Sequence, residues 1–362
     1  MVRVAGVDPG TGSFDVCVLE NGVFTYGESI PTGEVFENPS LLVECLRRVG
    51  PLDLIAGPSG HGLPLKPLSQ AGEAELRLAA LVRPGEGGSL LGLRKVLQRL
   101  KASNLPVVML PSVKHLPTIP LHRKINRIDL GTADKLCVAA LGIVDQAERL
   151  SIPYAEASFI LAELGYAYTA ILAVEGGEIV AGLGGTLGGL GFLSPGCLDG
   201  EVAYLLGRVS KKTLTSGGAF HIAGLQSPEP ERLAEEALRG GRAETAWKAY
   251  MESLKGCVAY LSATVGRPRE ILISGRLSRI EAYHAEALRR LSEFAPARRL
   301  EGFTGSVKQA AQGAALLADG LAGGKYSSLV DCLRLREACG TPLDHVYLEG
   351  FEKVRREMLG EA

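Results

Sequence analysis

Aromatic side chains make up only 6% of the 362 residues, so any core in this chain is built from aliphatic groups. Neither charge sign is in excess: 39 Lys and Arg stand against 40 Asp and Glu, for a net charge of -1. That balance gives no bulk attraction to nucleic acid or to an anionic membrane surface. No window of about 20 residues stays apolar without a charge or a glycine-rich break, so no membrane span is expected. The first residues run straight into a strand-like segment with no basic region ahead of it, and no signal peptide is expected. The seven cysteines include no CxxC pair, which argues against zinc and redox motifs. Most of them sit beside aliphatic residues and read as buried free thiols in a reducing, cytoplasmic setting. Asn and Gln are scarce, four and six in number, against many Arg, Glu and Leu, a bias found in heat-adapted proteins.

What the chain has in quantity is glycine, 46 residues, and where it clusters is informative. The length exceeds one core: at about 100–200 residues per domain, two are expected. Val2 to Val7, then Asp8-Pro9-Gly10-Thr11-Gly12-Ser13, then Phe14 to Leu19 read as a β-hairpin with a glycine-rich turn. Glu20-Asn21-Gly22 is a second turn signal. The same punctuation returns later. Asp8 corresponds to Glu163, Gly10 to Gly165, Glu20 to Glu175 and Gly22 to Gly177, each 155 residues on. A constant offset at four points argues for an internal duplication and for two α/β domains. The expected division is 1–130, 131–325 and a C-terminal helical hairpin at 326–362.

Three constellations carry candidate chemistry. In Asp8-x-Gly10-Thr11-Gly12-Ser13, glycines let backbone N–H groups close on phosphate oxygens, Thr11 and Ser13 add hydroxyls, and Asp8 can hold Mg²⁺ through waters. A plain hairpin turn is the alternative. Glu163-Leu164-Gly165-Tyr166-Ala167 is the repeat partner, with less glycine. Ile271-Leu272-Ile273-Ser274-Gly275-Arg276 is a buried strand ending in small residues, where an α/β fold binds ligands.

These three, in this order and spacing, resemble the actin-like ATPase, sugar kinase and acetate kinase superfamily over about residues 2–320. Within it the chain looks most like an archaeal family of predicted butyrate kinases. The resemblance implies two ribonuclease H-like domains with ATP and Mg²⁺ between them, and an adenosine loop at Ser274, Gly275 and Arg276. It implies phosphate-contacting roles for Gly10, Thr11, Gly12, Ser13, Glu163 and Gly165. It also matches Gly184-Gly185-Thr186-Leu187-Gly188-Gly189-Leu190 to a glycine-rich stretch of acetate kinases. Two departures stand out. Glu163 replaces the acetate kinase His, and Ser194-Pro195-Gly196 holds no counterpart of the segment that supplies a transition-state Arg.

A fourth constellation, His122 to Lys135, lies where the superfamily crosses between domains. Asp129 either orients chemistry or caps the following helix. Asp134 suits the positive helix end, whereas Lys135 is unfavourable in a first turn and wants another reason, an anionic substrate being one. Arg123, Lys124 and Arg127 are candidates for an anion clamp; a solvated basic loop is the alternative. Asp134, Lys135, Arg127 and Asp129 are therefore the candidate catalytic residues, and Asp8 the metal ligand. Three functions remain open: phosphotransfer from ATP to a small carboxylate or hydroxyl, an ATP-hydrolysing switch, or an inactive nucleotide binder. The expected partner is a small-molecule substrate; a homodimer is compatible with the fold.

Overall fold

Seven residues from Arg3 to Pro9 form β1, and its central five are all buried, so both faces of the strand are covered rather than one. The computed structural model describes residues 1–83 and 90–361. β1 pairs antiparallel with β2 (Ser13–Glu20), which pairs antiparallel with β3 (Val23–Pro31). On its other side β1 pairs parallel with β4 (Leu54–Ala56), and two short strands, β5 (Lys66–Pro67) and β6 (Val107–Met109), complete a sheet of order β3-β2-β1-β4-β6-β5. Helices α1 (Thr32–Glu37), α2 (Ser40–Arg48), α3 (Glu73–Ala80) and α4 (Leu90–Lys101) lie between these strands in sequence. A short α5 (Leu121–Lys124) and a long α6 (Ala133–Leu150) follow.

The second sheet repeats this plan. β7 (Phe159–Leu164), β8 (Thr169–Glu175) and β9 (Glu178–Leu183) form the second meander, and β10 (Glu270–Ser274) and β11 (Ala297–Arg299) extend it in the order β11-β10-β7-β8-β9. The register repeats as well. Asp8 pairs with Asp15 and Glu163 with Ala170, and Val4 pairs with Leu19 and Phe159 with Val174, both partners moving by 155 residues. Ile55 bridges Ala5 and Val107 just as Ile271 bridges Ile160 and Ala297. A one-residue slip would turn every buried side chain to the wrong face, so matched register is strong support for the duplication. Between β9 and β10 come α7 (Gly200–Leu206), α8 (Ala219–Ala223), α9 (Pro230–Ala237) and α10 (Gly241–Thr264); α11 (Glu281–Leu291) precedes β11. Tyr250, Met251, Leu254, Val258 and Leu261 give α10 the apolar face that packs into the second core.

After β11 the chain returns to the first unit with α12 (Gln309–Leu321), α13 (Ser327–Cys332) and α14 (Phe351–Leu359). The first unit comprises Met1–Ala157, Gly176–Ile179 and Glu301–Ala362, and the second Ser158–Glu175 and Val180–Leu300. The division differs from the expected breaks after residues 130 and 325, because α6 and α12 both pack in the first unit. The reason is steric. A Cβ on Gly6 of β1 would lie 2.2 Å from the Ala315 backbone nitrogen, and one on Gly313 only 1.8 Å from the Cys137 carbonyl oxygen. Two missing side chains let α12 lie between β1 and α6. Its buried polar residues are paired on one side only: Gln312 donates to the Thr304 and Val307 carbonyls at 2.9 Å each and Asp319 Oδ2 accepts from the Tyr326 amide at 3.0 Å, while Gln312 Oε1 and Asp319 Oδ1 have no hydrogen-bond partner among the described residues.

The expected C-terminal helical hairpin is shorter than the pattern suggested. Residues 340–350 are turns, because Asn126 binds them: its amide donates to the His345 carbonyl at 2.8 Å and its Oδ1 accepts from the Tyr347 amide at 2.7 Å. Of the cysteines, Cys17, Cys45 and Cys137 are buried, whereas Cys197 and Cys339, outside regular elements, are exposed, so burial does not extend to most of the seven. Among the described residues no helix is long and apolar enough to cross a membrane.

Gly313→Ala should lower stability by about 1–3 kcal/mol or more, as overpacking does in a close-packed core. Urea unfolding monitored by circular dichroism checks it; an unchanged midpoint would mean α12 and α6 do not cross this closely.

Candidate functional site

The hairpin at the carboxyl end of β1 is organised around a residue that sequence reading missed. Lys308 stands just before α12, and its Nζ donates to Asp8 Oδ2 at 2.6 Å and to the Ser13 carbonyl at 2.7 Å. It also lies 3.4 Å from Asp15 Oδ1, while the Lys308 amide donates to Asp15 Oδ2 at 2.7 Å. Asp15 was likewise missed. It is 2% exposed and accepts from the Ser13 and Ser29 hydroxyls at 2.6 and 3.0 Å. Gly10 is needed here for close approach: a Cβ would lie 2.2 Å from Lys308 Nζ. Thr32 fastens the turn from outside, its hydroxyl donating to the Gly10 carbonyl at 2.7 Å and its amide to the Gly12 carbonyl at 3.2 Å. Thr11 and Gly12 remain exposed at the tip.

The signal that could have found Lys308 is the one applied to Lys135. A cation at the start of a helix opposes the macrodipole and needs an anionic partner.

Asp8 is 5% exposed. Burial raises its carboxyl above the usual carboxylate range; Lys308 opposes that rise and Asp134 adds to it. Burial would lower the Lys308 ammonium, but Asp8 and Asp15 reverse this and hold it above its ordinary range. Asp134 shares a narrow cleft with Asp8 at the carboxyl ends of β1, β4 and β6, lined also by Gly57, Ser59 and Leu110, the place where open α/β sheets bind ligands. The enclosed space is about 10 Å³. Burial pushes Asp134 up, but Lys135, 2.7 Å away, and the Thr132 hydroxyl outweigh it and hold the carboxyl below its ordinary range. Lys135 thus has its anion, and it is Asp134.

Other candidates take different roles. Asp129 accepts from the Gly131 amide at 3.2 Å, a local turn that sets up the start of α6. Lys124, expected in an anion clamp, donates to the Leu116 carbonyl at 2.8 Å. The buried Lys114 donates to the Lys124 carbonyl at 2.8 Å and to the Arg127 carbonyl. The 114–127 segment therefore directs two of its lysines at its own backbone.

The expectation at Asp8 was Mg²⁺ held through waters, not by direct coordination. Asp8 Oδ2 is engaged by Lys308, and among the described residues no three His, Cys, Asp or Glu side chains gather into a metal site. The donors present do not fit a divalent ion bound directly by protein.

In the second unit, Glu163 faces Ser274 across the β7–β10 ladder, and both are buried. Gly165 closes a tight turn, its amide donating to the Tyr168 carbonyl at 2.9 Å. Gly185 packs on Tyr168, where a Cβ would come within 2.6 Å of the Tyr168 Cβ and 2.7 Å of its ring, and the Gly184 carbonyl accepts from the Leu187 and Gly188 amides, with Thr186 in that turn. Gly275 has φ +89°, and a Cβ there would lie 2.4 Å from the Leu164 carbonyl oxygen. The Arg276 guanidinium lies 4.6 Å from the centre of the Tyr166 ring. The residues expected at the second hairpin, the glycine-rich stretch and the adenosine loop thus meet at one end of one sheet.

Two outcomes follow. Asp15→Ala strips the hairpin of its central acceptor and leaves Lys308 under-compensated, so a loss of about 3–5 kcal/mol is expected in urea unfolding; a loss below about 1 kcal/mol would make the cluster a surface pair. His115 gives a pH dependence. It is 1% exposed, and burial pushes its imidazole from 6.5 down to about 4. The folded chain therefore favours the neutral ring. Stability is complete above the unfolded value and falls as pH drops from 6.5 toward 4, by up to about 3 kcal/mol. His115→Gln should flatten that slope in unfolding curves taken across the window.

The chain is similar to solved kinases. An acetate kinase from Entamoeba histolytica superposes with a TM-score of 0.59 over 80% of this chain and 86% of that one, at 13% identity. A propionate kinase from Francisella tularensis gives 0.60 over 86% and 99%, also at 13% identity. Identity this low shows the fold: two α/β domains of the actin-like ATPase kind. A UPF0285 protein from Methanococcus maripaludis strain C7 is 26% identical over 230 residues, 61% of this chain and 65% of the relative. One from Methanococcus vannielii is 27% identical over 229 residues, 61% and 64%. The chain thus spans just under two thirds of the length of these curated relatives. A family profile matches residues 6–348, and the chain belongs to that family, described as protein of unknown function (DUF1464).

Proposed function

We propose that this chain is an ATP-dependent phosphotransferase whose acceptor is a short-chain carboxylate, an activity like that of acetate and butyrate kinases. The observation that carries the reading is the place of Asp8, which adjoins the glycine turn at Gly10 and shares a cleft with Asp134 at the carboxyl end of β1, on a fold shared with acetate and propionate kinases. In this reading the backbone of Gly10, Thr11, Gly12 and Ser13 receives the phosphate tail of Mg·ATP, with the ion brought by the nucleotide. The acceptor oxygen bonds to the γ-phosphorus as the bond to the β-phosphate oxygen breaks, giving an acyl phosphate and ADP. The chain contributes positioning and charge placement.

The state of Asp134 favours a carboxylate over a hydroxyl acceptor. A general base works best with a pKa near the working pH, and Lys135 and Thr132 hold Asp134 below the ordinary carboxylate range. It is a poor base for a hydroxyl. An acceptor that arrives ionised needs none; Asp134 then holds Lys135 in place, and Lys135 supplies the positive charge that an anionic acceptor needs.

The test is product analysis. With ATP, Mg²⁺ and acetate, propionate or butyrate, the chain should give ADP and an acyl phosphate trapped by hydroxylamine. Asp134→Asn should lower turnover by about 10²–10³ with little change in nucleotide affinity. Release of inorganic phosphate without an acyl phosphate would replace this reading with a hydrolysing switch, and binding without turnover with an inactive nucleotide binder.

A further inference from the structure

The Lys308 ammonium occupies the position against Asp8 that a metal ion would need. It bridges the two arms of the hairpin, Asp8 at the end of β1 and the Ser13 carbonyl at the start of β2, at 2.6 and 2.7 Å. An ammonium has three N–H donors. Two are committed to those atoms, and the third has Asp15 Oδ1 at 3.4 Å, longer than the usual N–H···O range of about 2.7–3.2 Å. The side chain keeps 30% exposure although Asp8 and Asp15 are buried. The cation is therefore held by buried carboxylates on a side chain that keeps partial exposure, and it packs against the turn whose glycine makes room for it: a Cβ on Gly10 would lie 2.2 Å from Nζ.

We propose that Lys308 is the resident cation of the phosphate hairpin, turning its N–H with the long Asp15 contact to the polyphosphate tail of a nucleoside triphosphate and doing at Asp8 what a protein-bound divalent ion would otherwise do. This rests on the reading of the hairpin as a phosphate site. Asp8 and Asp15 anchor the ammonium in place, and the pair of charges they bring is matched in part by Lys308 and in part by the start of α12, whose Lys308 amide also bonds Asp15. Because the cation is covalently part of the chain, phosphate binding at the turn does not require a metal at Asp8.

Calorimetric titration of the full chain with ATP and with inorganic tripolyphosphate, in EDTA and in Mg²⁺, tests this. Wild type should bind both probes in EDTA. Lys308→Met should lose that metal-free affinity by about tenfold or more, the scale of a lost charge-assisted contact. Mg²⁺ alone should raise the melting temperature of Lys308→Met, by entering between Asp8 and Asp15, and leave wild type unmoved. Should Lys308→Met not fold, Lys308→Met/Asp15→Asn restores the charge balance and carries the same affinity test. Metal-free binding as tight in either variant as in wild type overturns the proposal, and so does wild-type binding of ATP that requires Mg²⁺; the latter leaves the phosphotransferase reading standing. Absence of binding under every condition overturns both.

Discussion

Helix α12 reaches the first sheet only because two residues carry no side chain. Gly6 on β1 and Gly313 on α12 itself bring backbones closer than any Cβ allows, and the helix then buries nearly all of its surface. That approach fixes where the start of α12 falls, and therefore where Lys308 falls. The charge cluster at the hairpin is a consequence of backbone packing some distance below it. A helix buried all round also has to satisfy its own polar residues, and it does so in part: the Gln312 amide group and Asp319 Oδ2 find backbone partners, whereas Gln312 Oε1 and Asp319 Oδ1 find none among the described residues.

The hairpin combines elements that are costly apart. Asp8 and Asp15 are buried carboxylates, and Asp134 is a third carboxylate that shares the cleft with Asp8. Buried charges of one sign persist only with compensation. Lys308 supplies it to the first two and Lys135 to the third. The two lysines solve the same problem from different helices, α12 and α6, each at the helix start where a cation is otherwise disfavoured. This arrangement places one carboxylate beside an ammonium shared with Asp15 and the Ser13 carbonyl, and another held ionised by its neighbour, which is the difference on which the proposed roles of Asp8 and Asp134 rest.

Much of the plan was legible in the chain itself. The 155-residue offset between Asp8 and Glu163, and between Gly22 and Gly177, reappears as identical pairing register in β1–β2 and β7–β8. Strand period and turn chemistry are local properties, so a repeat in sequence becomes a repeat in pairing. The Asp134–Lys135 pair was also legible as an anomaly in a first helical turn, though the anion it wanted proved to be its own neighbour. The basic segment at 122–127 was less so, because an acceptor made of backbone carbonyls, such as Leu116 for Lys124, leaves no trace in residue type.

The sequence by itself determined the two meanders, their turns and the fold class, since these follow from periodicity and from glycine placement along a few consecutive residues. Tertiary structure alone decided which residue faces Asp8. Lys308 is 300 residues away along the chain, and nothing near either residue specifies the other. Their meeting depends on α12 returning to β1 rather than staying with the strands that precede it, and that return is decided by backbone-to-backbone fit at Gly6 and Gly313.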